Sequence, residues 1–336
     1  MISSLDIDRL FENFTHQKIL IIGDVMIDKY LWGKVRRVSP EAPVPVISEV
    51  VEEKRLGGAA NVALNIKAMG AVPILCSVIG KDRYGKTFLE LLRDENLSDI
   101  GIVMDKSRIT TQKTRIISDK HHLLRVDEEM EDEITEEVEK KMLDFALELI
   151  RKKSVNSVLF QDYDKGVITK NLIDKIITTA RKAKIPVLVD PKRKNFLNYR
   201  KVSLFKPNFK ELRDGLKSDI DLYDLEAVAG LVEEFRKMNE QDVIMVTLSE
   251  MGIIVNHDSA YHHIAAEVRD ITDVSGAGDT VISMAALCLG EKLSALETAI
   301  LANLAGGQVC EKSGVVPVNR EQLLEEAKLL REEISE

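Results

Sequence analysis

The strongest constraint on this chain is an alternation. Short, mostly apolar runs at Lys18–Gly23, Val72–Val78, Val155–Phe160, Pro186–Asp190, Val202–Phe205 and Asp242–Thr247 are separated by longer amphipathic stretches. The amphipathic stretches include Asn61–Met69, Thr135–Arg151, Thr169–Ala183 and Leu225–Lys237. A run that is apolar on nearly every residue cannot turn one side to water, so these strands belong to a sheet covered on both faces. Strand and helix in repetition is the pattern of βαβ units. The expected fold is therefore α/β, with a doubly wound, mainly parallel sheet and helices on both faces. The 336 residues could make one large domain or two small ones. No internal repeat or low-complexity linker divides them, and the chain is read as a single domain over 1–336.

Two segments break the rhythm. Residues 31–55 carry three prolines and β-rich sequence without a helical period, and residues 108–126 alternate polar and apolar side chains as half-exposed strands do. Both are insertions into the core pattern. They are either ordinary surface hairpins or, together, a small β-sheet lid over one face. The acidic run Asp127–Glu139 reads as a solvated loop and helix start, with Thr135 near a cap.

Charge excludes one class of partner. Against 56 Asp and Glu stand 47 Lys and Arg, a net charge of −9, and no long basic run is present. Nucleic-acid affinity rests on phosphate neutralisation, so nucleic acid is not an expected partner. A small anionic substrate is still allowed, because a few local cations reverse the sign inside a pocket. Three widely spaced cysteines, Cys76, Cys288 and Cys310, read as buried reduced thiols. The N-terminal residues lack the basic and apolar regions of a signal peptide. No stretch reaches the ~18 apolar residues of a membrane span, the longest being Val281–Leu289. A cytoplasmic protein with no membrane partner is expected.

The most informative segment is Asp273-Val-Ser-Gly-Ala-Gly-Asp279, which precedes an apolar helical run. Gly276 and Gly278 let the backbone approach a ligand, and a helix starting there offers free N–H groups and a positive dipole end to an anion. Asp279 falls in the first turn. A carboxylate beside an anion cradle is awkward unless it takes a proton from an attacking hydroxyl, which is what phosphoryl transfer needs. The same residues also fit an ordinary helix start after a glycine turn. Neither GxxxxGK[ST] nor a GxGxxG after a strand is present, which disfavours P-loop NTPases and dinucleotide-binding enzymes. Near the N-terminus, Asp28 lies just past the first strand, at the sheet edge where open α/β proteins bind ligands. There it is either a sugar-hydroxyl acceptor or a turn residue. Gly57-Gly58-Ala-Ala-Asn61 opens a helix, with Asn61 either a polyol partner or a cap.

The spacing of these elements is more specific than any one of them. Gly57-Gly58-Ala-Ala-Asn61-Val-Ala63, Gly70 and Gly80 resemble the N-terminal signature of the PfkB (ribokinase-like) carbohydrate kinases. Asp273–Asp279 resembles their C-terminal signature, and Lys206-Pro-Asn208-Phe-Lys-Glu211 their NxxE element. The likeness covers about residues 15–320. A narrower one, to the D-glycero-β-D-manno-heptose 7-phosphate kinase branch, rests on Gly23–Tyr30, Ser39–Val46, His122–Asp127, Asp162-Tyr-Asp-Lys-Gly166 and Asp190-Pro-Lys192. The family's TxGxxG turn departs here to Thr247-Leu-Ser-Glu-Met-Gly252, with Ser249 in place of the first glycine. The HxGH motif of the fused nucleotidyltransferase found in many relatives is absent from the sequence, so adenylyl transfer is not expected of it.

The resemblance implies a ribokinase-like fold and transfer of the ATP γ-phosphate to the anomeric hydroxyl of the heptose phosphate, on the route to ADP-heptose and lipopolysaccharide. It makes Asp279 the general base and the amides of Gly276, Ala277 and Gly278 the anion hole. Asn208 and Glu211 would position Mg2+ and phosphates, mostly through water, while Asp273 and Ser275 match a monovalent-cation (K+) site. Asp28, Gly57, Gly58 and Asn61 would hold the sugar, and Thr247, Ser249, Gly252 and Asn303 the ATP side. A sugar phosphate also needs cations, for which Arg36, Arg37, Arg125 and Lys165 in or beside the branch-specific segments are candidates. The resemblance further implies a lid that excludes water and pairs with a second subunit's lid as a homodimer. Two alternatives stay open: a kinase of the same fold for fructose phosphate, tagatose phosphate or ribose, and a silent nucleotide- or sugar-binding regulator.

Overall fold

The structure is a computed structural model that describes residues 5–118, 121–267 and 269–335. The run Lys18–Gly23 is the first strand, β1, and its pleat divides the core in two. Ile19 and Ile21 enter one apolar cluster and Leu20 and Ile22 the other, all fully buried.

The chain opens with α1 (Ile7–Phe14), whose first turn is capped by Asp6, before β1. A long hairpin of β2 (Val25–Val38) and β3 (Pro45–Gly58) follows. Next come α2 (Ala59–Ala68), β4 (Val72–Gly80), α3 (Arg83–Asp94), β5 (Ile102–Asp105) and a second hairpin, β6 (Gln112–Ser118) with β7 (His121–Glu128). The middle of the chain supplies α4 (Glu136–Arg151), β8 (Ser157–Gln161), α5 (Lys170–Ala183), β9 (Val187–Asp190), β10 (Leu204–Phe205), α6 (Phe209–Leu216), α7 (Leu225–Met238) and β11 (Val243–Thr247). A hairpin of β12 (Ile253–His257) and β13 (Ala260–Ile264) precedes α8 (Ala277–Gly290), α9 (Ala295–Cys310) and α10 (Arg320–Ser335).

The main sheet has nine strands in the order β13-β12-β11-β10-β9-β8-β1-β4-β5. Neighbours from β11 to β5 are parallel, and the hairpin β12–β13 adds an antiparallel edge that the alternation did not announce. Helices α1, α2, α3, α8, α9 and α10 contribute to the cluster around Ile19 and Ile21; α4, α5, α6 and α7 contribute to the one around Leu20 and Ile22. The segment Val281–Cys288 of α8 is buried on every side, so a helix apolar all round is what its place requires. Cys76 and Cys288 are buried, Cys310 is half-buried, and all three thiols are free. Among the described residues no helix is long and apolar enough to cross a membrane.

The two insertions do form one small sheet, in the order β3-β2-β6-β7. Its hairpins are antiparallel, while β2 and β6 run parallel at the seam. The strands are longer than the insertions suggested, since β2 begins at Val25 and β3 ends at Gly58. Asp28 therefore sits on a strand of the small sheet rather than in a turn, paired in register with Arg55. Residues 119 and 120 of the second insertion, and 1–4 of the N-terminal segment, lie outside the described residues.

Candidate active site

The glycine segment builds as its letters suggest. Gly276 takes φ +86° just before α8, a left-handed conformation that a side chain would strain. Helix α8 starts at Ala277, which leaves the first amides without helix partners, although Ala277 N–H donates to Val274 C=O at 3.3 Å, and places Asp279 in the first turn. A Cβ added at Gly278 would meet only Lys206 Nζ at 3.6 Å and Asp190 Oδ2 at 3.9 Å, so the space over that glycine is open toward the cleft.

Asp279 is buried and held by three donors from three elements. Asn61 Nδ2 of α2 donates to Oδ2 at 2.7 Å. Gln161 Nε2, at the end of β8, and the Tyr163 hydroxyl both donate to Oδ1, at 3.0 and 2.7 Å. Burial pushes its carboxyl up to about 6; Asp190 adds to the rise, while Asn61, Tyr163 and Lys206 oppose it. Among the described residues, two acceptors beside it, Asn61 Oδ1 and Gln161 Oε1, are buried without a protein donor, as are several amide oxygens elsewhere in the fold. Each therefore has a lone pair open to a further partner.

A second layer fixes these groups. Gln161 Nε2 also donates to Asp190 Oδ2 at 3.1 Å, and that carboxylate pairs with Lys206, 2 % exposed, at 3.1 Å. The loop 162–167 is pinned from beneath by Asp24, which accepts from the backbone N–H of Tyr163, Lys165 and Val167. Asp24 therefore shapes the loop that delivers Tyr163. Burial raises its carboxyl above the ordinary value despite those three bonds.

From this point a cleft of about 440 Å³ runs over the cradle. Asn208, Glu211, Thr247, Ser249, Gly252, Asn303 and Gly276–Asp279 all line it, as do Lys192 and Lys206. Asn208 caps α6 in a reciprocal box with Glu211: Glu211 N–H donates to Asn208 Oδ1 at 2.8 Å and Asn208 N–H to Glu211 Oε2 at 2.9 Å. The other oxygen of Glu211 pairs with Lys192. Asn208 also bridges in parallel to Thr247, which ties the NxxE element to the Thr247–Gly252 turn. The side chain of Asp273 accepts from Ser275 N–H and Gly314 N–H, both at 2.9 Å, joining the cradle loop to the loop before α10.

On the other side of Asn61 lies the small sheet. Asp28, 4 % exposed, pairs with Arg115 of β6, and Gly57 packs against its carboxylate. The guanidinium groups of Arg115 and Arg55 both lie over the ring of Tyr30. Gly58 ends β3 at φ +61° and admits α2 with Asn61 in its first turn.

The expected phosphate-binding cations separate. Arg36 and Arg37 stand eight and nine residues along β2 from Asp28, about 25–30 Å away at the strand rise of ~3.3 Å per residue. Arg36 is exposed and paired with Glu49. These two are not brought to the cradle. Arg125 is exposed and paired with Asp127, but it lies directly across from Arg115 in the β6–β7 register. Lys165 is buried between Glu129 and Glu131. The cations that line the cleft are Lys192, Lys206 and Arg269, and Arg115 stands beside Asp28; sequence reasoning gave none of these a role, nor Gln161, Tyr163 and Asp190. Tyr163, Asp190, Lys192 and Lys206 lie within Asp162–Gly166, Asp190-Pro-Lys192 and Lys206-Pro-Asn208, whereas Gln161, Arg115 and Arg269 lie outside every motif quoted.

Comparison with known proteins places the chain in a family. The model of the pfkB family carbohydrate kinases matches residues 16–322. The chain is 38 % identical over 307 residues to the bifunctional protein HldE of Helicobacter pylori strain G27, covering 91 % of this chain and 65 % of that protein. It is 37 % identical over 323 residues to the HldE of Geotalea uraniireducens, covering 96 % and 65 %. The chain thus spans a little under two thirds of the length of these relatives. Among solved structures it resembles phosphofructokinase-2 from Escherichia coli in complex with potassium, with TM-score 0.75 and 18 % identity over 94 % of this chain and 99 % of that one. Arabidopsis thaliana ribokinase complexed with ribose and ATP gives TM-score 0.72 and 18 % identity over 92 % and 98 %. At that identity the two structures speak for the fold alone.

Proposed function

The chain belongs to the pfkB family of carbohydrate kinases, and from that premise we propose that it transfers the γ-phosphoryl group of ATP to the anomeric hydroxyl of D-glycero-β-D-manno-heptose 7-phosphate in the cytoplasm. The observation that carries the catalytic reading is the setting of Asp279. A buried carboxylate with its pKa lifted to about 6 stands beside an open amide cradle and beside the donor-less acceptors Asn61 Oδ1 and Gln161 Oε1. A base poised near neutrality, an anion site and hydroxyl acceptors are the three parts this transfer needs.

In this reading the sugar hydroxyl gives its proton to Asp279 as its oxygen attacks the γ-phosphorus. The amides of Gly276, Ala277 and Gly278 receive the charge of the moving phosphoryl group. Asp28, Gly57, Gly58 and Asn61 form the sugar side, with Arg115, and Arg125 and Lys165 beyond it, for the 7-phosphate. Thr247, Ser249, Gly252 and Asn303 form the nucleotide side. Among the described residues no group of three or more His, Cys, Asp or Glu could cage a metal ion. The carboxylates of Asp190 and Glu211 with the Asn208 amide do suit magnesium carried largely by phosphates and water. When bound, the ion neutralises phosphate charge. Asp273 has spare lone pairs on both oxygens and, with Ser275, would hold potassium.

The small sheet would act as the lid and pair with a second copy as a homodimer. Val38, Val50, Val51, Leu124 and Val126 are exposed on it, an apolar surface that a partner lid would cover. Sedimentation at micromolar concentration tests this, and a monomer sinks it.

The decisive test is ADP release with magnesium and a panel of sugars. The heptose 7-phosphate should exceed fructose 6-phosphate, tagatose 6-phosphate and ribose in kcat/KM by about a hundredfold or more, the scale by which a pocket shaped to one substrate rejects a poorly fitting one. Preference for another sugar would move the acceptor assignment. No turnover with any of them would favour a silent binding protein.

A further inference from the structure

Asp279 has two oxygens, and an ionised carboxylate offers about four lone-pair positions in all. The structure fills three of them. Oδ1 takes two donors, Gln161 Nε2 at 3.0 Å and the Tyr163 hydroxyl at 2.7 Å, while Oδ2 takes one, Asn61 Nδ2 at 2.7 Å. Among the described residues, the one position left is on Oδ2, the oxygen turned toward Asn61 and the sugar side.

We propose that Tyr163 and Gln161 are positioning residues that occupy Oδ1 of Asp279, so that Oδ2 is the atom which takes the substrate proton. This rests on Asp279 being the base, as argued above. In the step itself the hydroxyl O–H bond breaks and its proton goes to Oδ2. The hydroxyl oxygen bonds to the γ-phosphorus, and the bond from that phosphorus to the bridging oxygen breaks. The electron pair leaves on ADP. Atoms and charge balance with no further reactant.

Both positioning groups are themselves held, which is what distinguishes them from incidental neighbours. The Tyr163 backbone is tied to Asp24 at 2.8 Å, and Lys192 lies 5.5 Å from the ring centroid on the side of Glu211. Its hydroxyl is buried and its ionisation is driven well up by burial and by the facing carboxylate, so it stays a donor. Gln161 is 1 % exposed and bridges Asp279 to Asp190 through one nitrogen. Two consequences follow. The base is locked in one rotamer, and the ionised form gains donors that the protonated form does not need. Around the carboxyl the charged groups are Asp190, Lys192 and Lys206 from the ends of β9 and β10; Asn61, Gln161 and Tyr163 are its hydrogen-bond donors.

The test compares Tyr163→Phe and Gln161→Leu with the full chain, by steady-state kinetics from pH 5 to 9. Loss of the hydroxyl removes a donor to the charged form, so the acid limb of kcat/KM should move up by about one pH unit in Tyr163→Phe. The ionisation of ATP and sugar phosphate is common to both enzymes and cancels in that difference. At pH 8, kcat should fall roughly tenfold in each variant, with KM for ATP and sugar within about twofold, because the loss is one of base orientation. Tyr163→Phe keeps the ring, and an unchanged urea midpoint establishes that it folds. An acid limb and kcat unchanged in Tyr163→Phe would overturn the proposal. Asp279→Asn is run beside it: turnover retained there would instead refute Asp279 as the base. Loss of turnover there, with Tyr163→Phe unaffected, refutes the positioning role alone.

Discussion

The cradle and the small sheet carry charge in opposite styles. At the cradle, Asp279, Asp190, Lys206 and Gln161 are almost wholly buried and tied to partners from several elements, with Gln161 Oε1 left over as an acceptor. On the outer small sheet, Arg36, Lys34 and Arg125 are exposed and pair with Glu49 and the half-buried Asp127 on the same or the adjoining strand. Buried charges with several partners are held in one geometry and are expensive to disturb, whereas exposed pairs contribute little. Net charge therefore says nothing about the cleft. A chain of −9 lines its cleft with Lys192, Lys206, Arg269 and a helix N-terminus, so a few local groups set the field there.

The largest break in that contrast is Asp279→Asn. Removing a general base costs roughly 10²–10⁴-fold in kcat, and ATP affinity should be retained because the cradle amides are untouched. The same variant should be more stable than the parent. The folded carboxyl titrates at about 6 and the unfolded one at 3.8, so the folded state holds the proton more tightly. Stability from this group is full below 3.8, is lost as pH rises through that window, and is gone above about 6. By linkage the loss is about 2–3 kcal/mol at pH 8, which the amide would not suffer. A urea midpoint for Asp279→Asn above the parent at pH 8, converging toward pH 4, is the expected result. A variant less stable at pH 8 would show that the carboxylate is a structural asset instead.

Gly278→Ala comes next. The new methyl would stand 3.6 Å from Lys206 Nζ, an ordinary contact, and alanine is the better helix former. Folding should therefore be intact while the methyl fills the cradle, and kcat/KM for ATP should fall roughly 10²-fold, the scale of a lost oxyanion-type donor. Full activity would mean that phosphate does not reach that glycine.

How much of this was legible beforehand follows the same division. The run Lys18–Gly23 became β1 at its predicted bounds, and Asp273–Asp279 could be read because the glycine turn, the helix start and the carboxylate proposed as base lie within seven residues. The partners of the base could not. Gln161 and Tyr163 lie 118 and 116 residues from Asp279, and the packing of α8 against β8 brings them there. The Arg36–Arg37 pair was legible as charge, but a long hairpin carries it away from the cradle of its own chain. The two-residue strand Leu204–Phe205 begins two residues later than the expected Val202–Phe205 and ends at the same residue.

Between the two styles stands Arg115. It is on the small sheet, yet its guanidinium is mostly buried, paired with Asp28 and set over Tyr30. Arg115→Ala should leave Asp28 without its partner in a buried position. A loss of about 2 kcal/mol is expected, below the 3–5 kcal/mol of a fully buried pair because Arg115 keeps some access to water. KM for the sugar phosphate should rise about tenfold with KM for ATP unchanged, the scale of one charged contact. Equal effects on both substrates would assign Arg115 to folding alone.

The smallest effect is the sharpest check on the contrast. Arg36 and Glu49 are both about half or more exposed, and a pair of that kind contributes less than about 1 kcal/mol. Within one chain Arg36 is also too far along β2 to touch a sugar beside Asp28. Arg36→Ala should therefore leave both KM values within about twofold and the urea midpoint almost unmoved. A tenfold rise in KM for the sugar phosphate alone could not come from the same copy's cleft. It would require the tip of a second lid to reach over the site, and the rise should then vanish on dilution below the concentration at which the pair dissociates. That one substitution therefore separates a lid that only covers from a lid that also binds.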